Sequence, residues 1–179
     1  MPLKRILPVI IAAFLVVAIA LWWTFGQGTR HAYMVAAANP YATEAGAEIL
    51  KEGGSAVDAA IAIQAVLTLV EPESSGLAGG AFMLQWSPHS GKLDAYDGRE
   101  TAPAGATPDM FLDAQKQPLG IRDAVLSGRS VGTPGVVRML WLAHQKHGKL
   151  PWADLFKPAI KLATKGFNIS PKLAESIKR

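Results

Sequence analysis

The spacing of apolar positions changes several times along these 179 residues, and each change predicts an element. Residues 6–25 form a run of 20 without a charge. At about 1.5 Å per residue a helix of that length reaches roughly 30 Å, the thickness of a bilayer core. Residues 34–38 are a short apolar run, which predicts a buried strand. Asn39-Pro40 reads as a cap followed by a first helical residue, and Ala42, Ala45, Ile49 and Leu50 recur at helical spacing up to Lys51. Gly53-Gly54 ends that helix, because glycine readily takes the left-handed conformation. Ser55, with Asp58 three residues on, has the form of a capping box. The helix it opens, 56–70, is apolar all round and should be buried on several sides; Glu71-Pro72 stops it.

Residues 81–86 and 92–96 read as a hairpin around Ser87-Pro88-His89-Ser90-Gly91. Thr107-Pro108-Asp109 predicts a short helix to Ala114, and 115–132 reads as irregular. Thr133-Pro134 predicts a helix to Gly148 with Val137, Leu140, Trp141 and Ala143 as its apolar stripe. A further helix from Pro151 must kink or split at Pro158 and end near Gly166. Ser170-Pro171 opens a last helix, still running at Arg179. Only about three strands are visible, and an open sheet needs partners or cover. The sequence therefore reads as the front part of a larger protein.

Charge sharpens the division. The formal charge is +4, but Lys4, Arg5 and Arg30 flank the apolar N-terminal run and all 14 acids lie beyond it. Without those three, 15 of the 18 cationic residues face 14 acids, a net +1. A near-neutral body offers no basic stripe for nucleic acid. With no cysteine, disulfides and thiolate chemistry are excluded. Lys4 and Arg5 before the run, and Trp22 and Trp23 near its far end, predict a retained anchor with the body outside the cytoplasm. The run exceeds a signal-peptide core, and Leu21-Trp22-Trp23-Thr24-Phe25 makes a poor cleavage site; secretion after cleavage is the alternative. The expected division is a cytoplasmic N-terminus at 1–5, a transmembrane signal-anchor at 6–25, a linker at 26–32 and the body at 33–179.

Candidate chemistry centres on Arg99. It sits between Gly98 and Glu100-Thr101-Ala102-Pro103 just past a strand, and a guanidinium presents planar paired donors to a carboxylate. The plainer reading pairs it with Glu100, Asp97 or Asp94. The loop 74–80 could turn backbone N–H groups toward a ligand; its plainer reading is close backbone packing on the next strand. Asp58 reads as a cap rather than a catalytic acid. His144 and His147 lie three apart on a polar helix face with no third ligand, so no metal site is expected. Ser74 and Ser75 lack the context of a hydrolase nucleophile.

These residues together closely resemble the gamma-glutamyltranspeptidase family. The likeness runs in order over about 33–179. It takes in Met34-Val35-Ala36, Ile49-Leu50-Lys51 into Gly53-Gly54-Ser55-Ala56-Val57-Asp58-Ala59-Ala60, Glu71-Pro72 through Met83-Leu84, and Arg99-Glu100-Thr101-Ala102-Pro103. It continues through Ser130-Val131-Gly132-Thr133-Pro134-Gly135, His147-Gly148-Lys149-Leu150-Pro151-Trp152 and Pro158-Ala159-Ile160 to Gly166-Phe167. The chain departs from the family at Ala78 and Ala81, which interrupt a stretch usually near-continuous in glycine. Glu73 stands where histidine is common, and Ser55 where asparagine is frequent.

The resemblance implies an α+β fold, the four-layer αββα sandwich of N-terminal nucleophile hydrolases, here incomplete and preceded by the membrane helix. It implies a precursor that cuts itself into a large and a small subunit. The new N-terminal threonine of the small subunit then attacks the gamma-glutamyl amide, and water, an amino acid or a peptide takes the glutamyl group. Arg99 falls on the arginine that grips the alpha-carboxylate of the donor. The nucleophile belongs to the later part, so these 179 residues alone are expected to be inactive. The implied substrate is glutathione or another gamma-glutamyl compound, without cofactor or metal. The partners are the small subunit and, through 6–25, the cytoplasmic membrane. The alternatives are a glutaryl or cephalosporin acylase on the same scaffold, and a membrane-tethered binding module without catalysis.

Overall fold

The computed structural model describes residues 13–17 and 33–178. Residues 13–17 are helical; the rest of the expected anchor and linker lies outside the described residues. Among the described residues no helix is long and apolar enough to cross a membrane. The chain divides into two units, Met1–Met34 and Val35–Arg179, and the elements below belong to the second.

Helix α1 (Pro40–Lys51) starts where the side chain of Asn39 accepts from Tyr41 N, with Pro40 in the first turn. It ends before Gly53, whose φ of +92° is the left-handed value that glycine supplies. Helix α2 (Ala56–Val70) starts at the full Ser55/Asp58 capping box. It is the hub of the fold. On one side Val57, Ala59, Ile61 and Ala62 join Ile49, Leu155 and four residues of a later helix in one apolar cluster. On the other, Ala65, Val66 and Val70 meet Ala42, Ala45 and Ala159 in a second. Helices α1 and α2 pack so closely at Gly46 that an added Cβ would meet Ile63 Cδ1 at 2.7 Å.

Strands β1 (Phe82–Ser87) and β2 (Lys92–Asp97) form an antiparallel hairpin that pairs Phe82 with Asp97 and Ser87 with Lys92. Met83 and Tyr96, cross-strand partners, turn inward onto the first cluster. Phe82, Leu84, Trp86 and Leu93 point outward and are exposed, so the hairpin is apolar on both faces. Helix α3 (Ile121–Leu126) and a 3-10 turn (Gly128–Ser130) lead to α4 (Val136–His147), which buries Val136, Met139, Leu140 and Ala143. A 3-10 turn (Trp152–Phe156) then gives way to α5 (Lys157–Lys165), so Pro158 falls in a first turn and splits the helix as expected. Helix α6 (Pro171–Ile177) is capped by Ser170.

Four expectations are corrected. Residues 34–38 are not a strand but irregular and mostly exposed; among the described residues the sheet has two strands, leaving the run no neighbour to pair with. Residues 107–114 form turns, because Asp113 Oδ1 takes the amides of Gln115 and Gln117 and bends the chain back. The stretch 115–132, expected to be irregular, contains α3. The last helix ends at Ile177 with Lys178 as its C-cap, inside the sequence.

Candidate functional site

Arg99 follows β2 in a segment held on both sides. On one side Gly98 N donates to Ala81 O at 2.9 Å and Ala81 N to Gly98 O at 3.2 Å. On the other, Thr133 N donates to Thr101 O at 2.8 Å and Thr101 N to Thr133 O at 3.3 Å. The Asp97 carboxylate accepts from Arg99 N at 2.9 Å, which fixes the turn out of the strand. Glycines let neighbouring chains come this near. A Cβ on Gly98 would meet Met139 Cβ at 2.6 Å, and one on Gly135 would collide with the Gly98 carbonyl. Gly79 O in turn accepts from Gly135 N and Val136 N, both at 3.1 Å. In loop 74–80, Gly79 and Gly80 therefore serve close packing, the plainer of its two readings, while Gly76 faces open space.

The same packing houses Glu100. A Cβ on Gly80 would lie 2.5 Å from Glu100 Oε2, and one on Gly132 would lie 2.9 Å from Glu100 Cβ. Glu100 Oε2 is 3.4 Å from Arg99 Nη1. Arg99 is thus paired with one of its expected acidic neighbours, yet its side chain is 60% exposed. With the guanidinium open to solvent, a contact of that length is a weak tether on it, and the guanidinium can exchange it for a better acceptor. Of the other two candidate partners, Asp97 takes only the Arg99 amide, and Asp94 is engaged elsewhere, 2.7 Å from Lys146 Nζ and 3.0 Å from His147 Nε2. The Lys146 hydrogen bond, ahead of the charges of Lys146 and His147, holds the Asp94 carboxyl below its usual range.

Arg99 opens onto a cleft of about 390 Å³ whose walls include Glu100 to Pro103, Met110, Phe111 and Arg129 to Gly132. Arg129 was not singled out by the sequence, and no local pattern marked it. It lies 30 positions beyond Arg99 in a stretch that reads as irregular, and only the fold brings the two arginines to one cavity.

The remaining candidates are structural. Asp58 is fully buried; its Oδ2 accepts from Ser55 N at 2.8 Å, Lys149 N at 2.9 Å and Leu150 N at 3.2 Å. It caps α2, as expected, and also clasps the turn after α4. His144 and His147 do not lie on a polar face. His144 sits against Trp141 and Trp152 with Nε2 2.9 Å from Leu150 O, and His147 packs edge-on to Tyr96. Among the described residues no group of three or more His, Cys, Asp or Glu could hold a metal. Ser74 and Ser75 form a turn with their N–H groups on Glu71 O. Glu73 lies 3.4 Å from Lys172 Nζ. That lysine also reaches Glu71, whose carboxylate accepts from Asn39 Nδ2 at 2.9 Å.

The chain is similar to known proteins in sequence and in fold. The family model described as Gamma-glutamyltranspeptidase matches residues 42–179. Glutathione hydrolase proenzyme of Bacillus subtilis (strain 168) is 47% identical over 144 residues, 80% of this chain but 24% of that protein. The chain thus spans about a quarter of that curated relative. The solved gamma-glutamyltranspeptidase of Pseudomonas nitroreducens, complexed with L-DON, superposes with a TM-score of 0.76 at 38% identity, covering 84% of this chain and 44% of that one. A cephalosporin acylase from Bacillus halodurans follows with a TM-score of 0.62 at 34% identity, covering 76% and 25%. The match over 42–179 takes in the glycine-packed frame around Arg99 as well as the helices that carry it: the chain belongs to the gamma-glutamyltranspeptidase family.

Proposed function

We propose that this chain supplies the carboxylate-gripping part of an enzyme of gamma-glutamyl transfer and hydrolysis, acting on glutathione and similar compounds. The observation that carries the reading is Arg99, exposed at a cleft on a backbone held from both sides. A guanidinium so placed offers two parallel N–H donors to the alpha-carboxylate of a glutamyl group. Arg99–Glu100 pairing keeps the cation occupied until a carboxylate with better geometry arrives.

In the proposed reaction a threonine from sequence outside these residues attacks the gamma-amide carbonyl. Its hydroxyl proton passes through its own amino group to the departing amine, leaving a gamma-glutamyl ester on the threonine. Water, an amino acid or a peptide then takes the glutamyl group, and its proton returns to the threonine oxygen. The contribution of Arg99 is to fix the far end of the glutamyl group, so that the gamma-carbonyl lies where the nucleophile can reach it. The small subunit released from a common precursor is the proposed partner.

The four-layer αββα sandwich belongs to the same reading. Its support is the hairpin's exposed outer face of Phe82, Leu84, Trp86 and Leu93, since a sheet apolar on both faces suits cover on both. Anchoring in the cytoplasmic membrane through residues 6–25, with the body outside, rests on the uncharged run and its flanking Lys4, Arg5 and tryptophans.

The test is turnover of gamma-glutamyl-p-nitroanilide by the complete protein and its Arg99→Ala and Arg99→Lys forms. Loss in the first, with partial activity in the second, is the expected result; normal turnover by Arg99→Ala overturns the assigned role. A second reading, an acylase of glutaryl side chains, draws on the cephalosporin acylase likeness. Such a donor keeps the carboxylate but lacks the alpha-amino group, so competition between gamma-glutamyl and glutaryl donors separates the two. Binding of a gamma-glutamyl compound without turnover would favour a non-catalytic module.

A further inference from the structure

The cleft at Arg99 has a second cation. Its charged wall residues are Arg99, Glu100 and Arg129, and Glu100 lies against Arg99. Arg129 is therefore the excess positive charge of the cavity.

Arg129 is also held in place. It is the middle residue of the 3-10 turn Gly128–Ser130. That turn is tied back to α3 by Ser130 Oγ, which lies 2.9 Å from both Val125 O and Ser127 O, and by Ser127 Oγ on Ala124 O at 2.8 Å. Its own Nη1 donates to Met110 O at 3.0 Å across the cleft wall. One edge of the guanidinium is thus used to hold the wall, and a guanidinium has five N–H donors.

We infer that Arg129 is a specificity-determining residue that recognises a second acidic group on the donor, a carboxylate carried by the leaving group. The inference rests on the proposed gamma-glutamyl reading, and the chemistry of that substrate class narrows it. Arg99 takes the alpha-carboxylate. The glutamyl gamma-carboxyl is in the amide. A further negative charge on the donor must then lie beyond the scissile bond, on the amine that departs. Donors with acidic leaving groups, including peptides ending in a free carboxylate, satisfy both arginines; donors with neutral leaving groups satisfy one.

Two chromogenic donors that differ by one carboxylate test this on the complete protein: gamma-glutamyl-p-nitroanilide and gamma-glutamyl-3-carboxy-4-nitroanilide. The readout is the ratio of kcat/KM for the carboxylated over the plain donor. It is internal to each preparation and insensitive to how much protein is correctly folded. Arg129→Gln removes the charge and leaves a polar side chain whose amide ends two bonds short of Nη1. It is expected to lower the ratio by about fivefold, the upper size of one partly exposed charge pair, through KM for the carboxylated donor. Arg129→Lys should keep the ratio within about twofold of the parent, because it keeps the cation. In about 0.5 M NaCl the parent ratio should fall toward that of Arg129→Gln, since salt screens an exposed pair.

An equal loss for both donors overturns the inference, assigning Arg129 to the same carboxylate as Arg99 or to holding the Met110 wall. An unchanged ratio in Arg129→Gln overturns it as well. Failure of the underlying reading looks different: Arg99→Ala would then turn over both donors normally, whatever Arg129 does.

Discussion

Asp58 and Arg99 show two uses of a charge in one small body. Asp58 is fully buried, and one of its oxygens gathers three backbone N–H groups from two parts of the chain. Arg99 is 60% exposed, with one acidic neighbour at 3.4 Å, and it is the backbone around it that is held. In the first case the side chain fixes the structure. In the second the structure fixes the side chain's root and leaves its tip available. A carboxylate fully buried among backbone amides is closed to a ligand. A cation weakly paired at the rim of a cleft does.

The comparison can be broken at either end. Asp58→Ala should have the largest effect on stability, about 3 kcal/mol, because it takes the acceptor from part-buried amides at two places at once; urea denaturation of the complete protein reads it. Arg99→Ala should leave the melting temperature nearly unchanged and lower kcat/KM for a gamma-glutamyl anilide by about a hundredfold. If the two variants exchanged these signatures, the division between structural and available charge would be wrong. Gly98→Ala tests the frame that holds Arg99. Its Cβ would press on Met139, so a loss of about 1–3 kcal/mol is expected. A drop in kcat/KM of about tenfold should follow, since the next residue is Arg99 and misplacement is costly in catalysis.

The smallest effect concerns pH. The Asn39 hydrogen bond, then that of Lys172, holds the Glu71 carboxyl below its ordinary range, against the opposing push of burial. A depressed folded value means that its contribution is present above the ordinary glutamate value of about 4.3 and is lost as pH falls through the lower folded one. Lys172→Met should therefore lower stability slightly at neutral pH, with the difference from the parent shrinking as the pH falls through the acid range, so that the acid limb flattens.

Local signals were legible. Asn39-Pro40, the Ser55/Asp58 box, the stop at Glu71-Pro72 and the split at Pro158 each depend on residues within a turn of one another. Arg99 was legible as a candidate because its neighbours are turn-formers of a recognisable set. What could not be read depended on distant partners. The run at 34–38 has the composition of a strand but finds no neighbour among the described residues. The 107–114 segment opens like a helix, but Asp113 diverts it into turns. Helix α3 has no side-chain cap to announce it. The histidines of α4 looked polar because nothing local told of Trp152, Tyr96 or Asp94. Arg129 reaches Met110, 19 residues back, and shares its cavity with a residue 30 back.

The clasp at Asp58 has a consequence for how such a scaffold can diversify. It ties Ser55 to Lys149 and Leu150, positions up to 92 apart from Asp58 in sequence. Everything between them, hairpin and cleft included, is an excursion whose two ends are fastened at one buried atom. Residues 103–131 lie outside that fastening, so changes there fall on the cavity wall and leave the moorings at Asp58 to themselves.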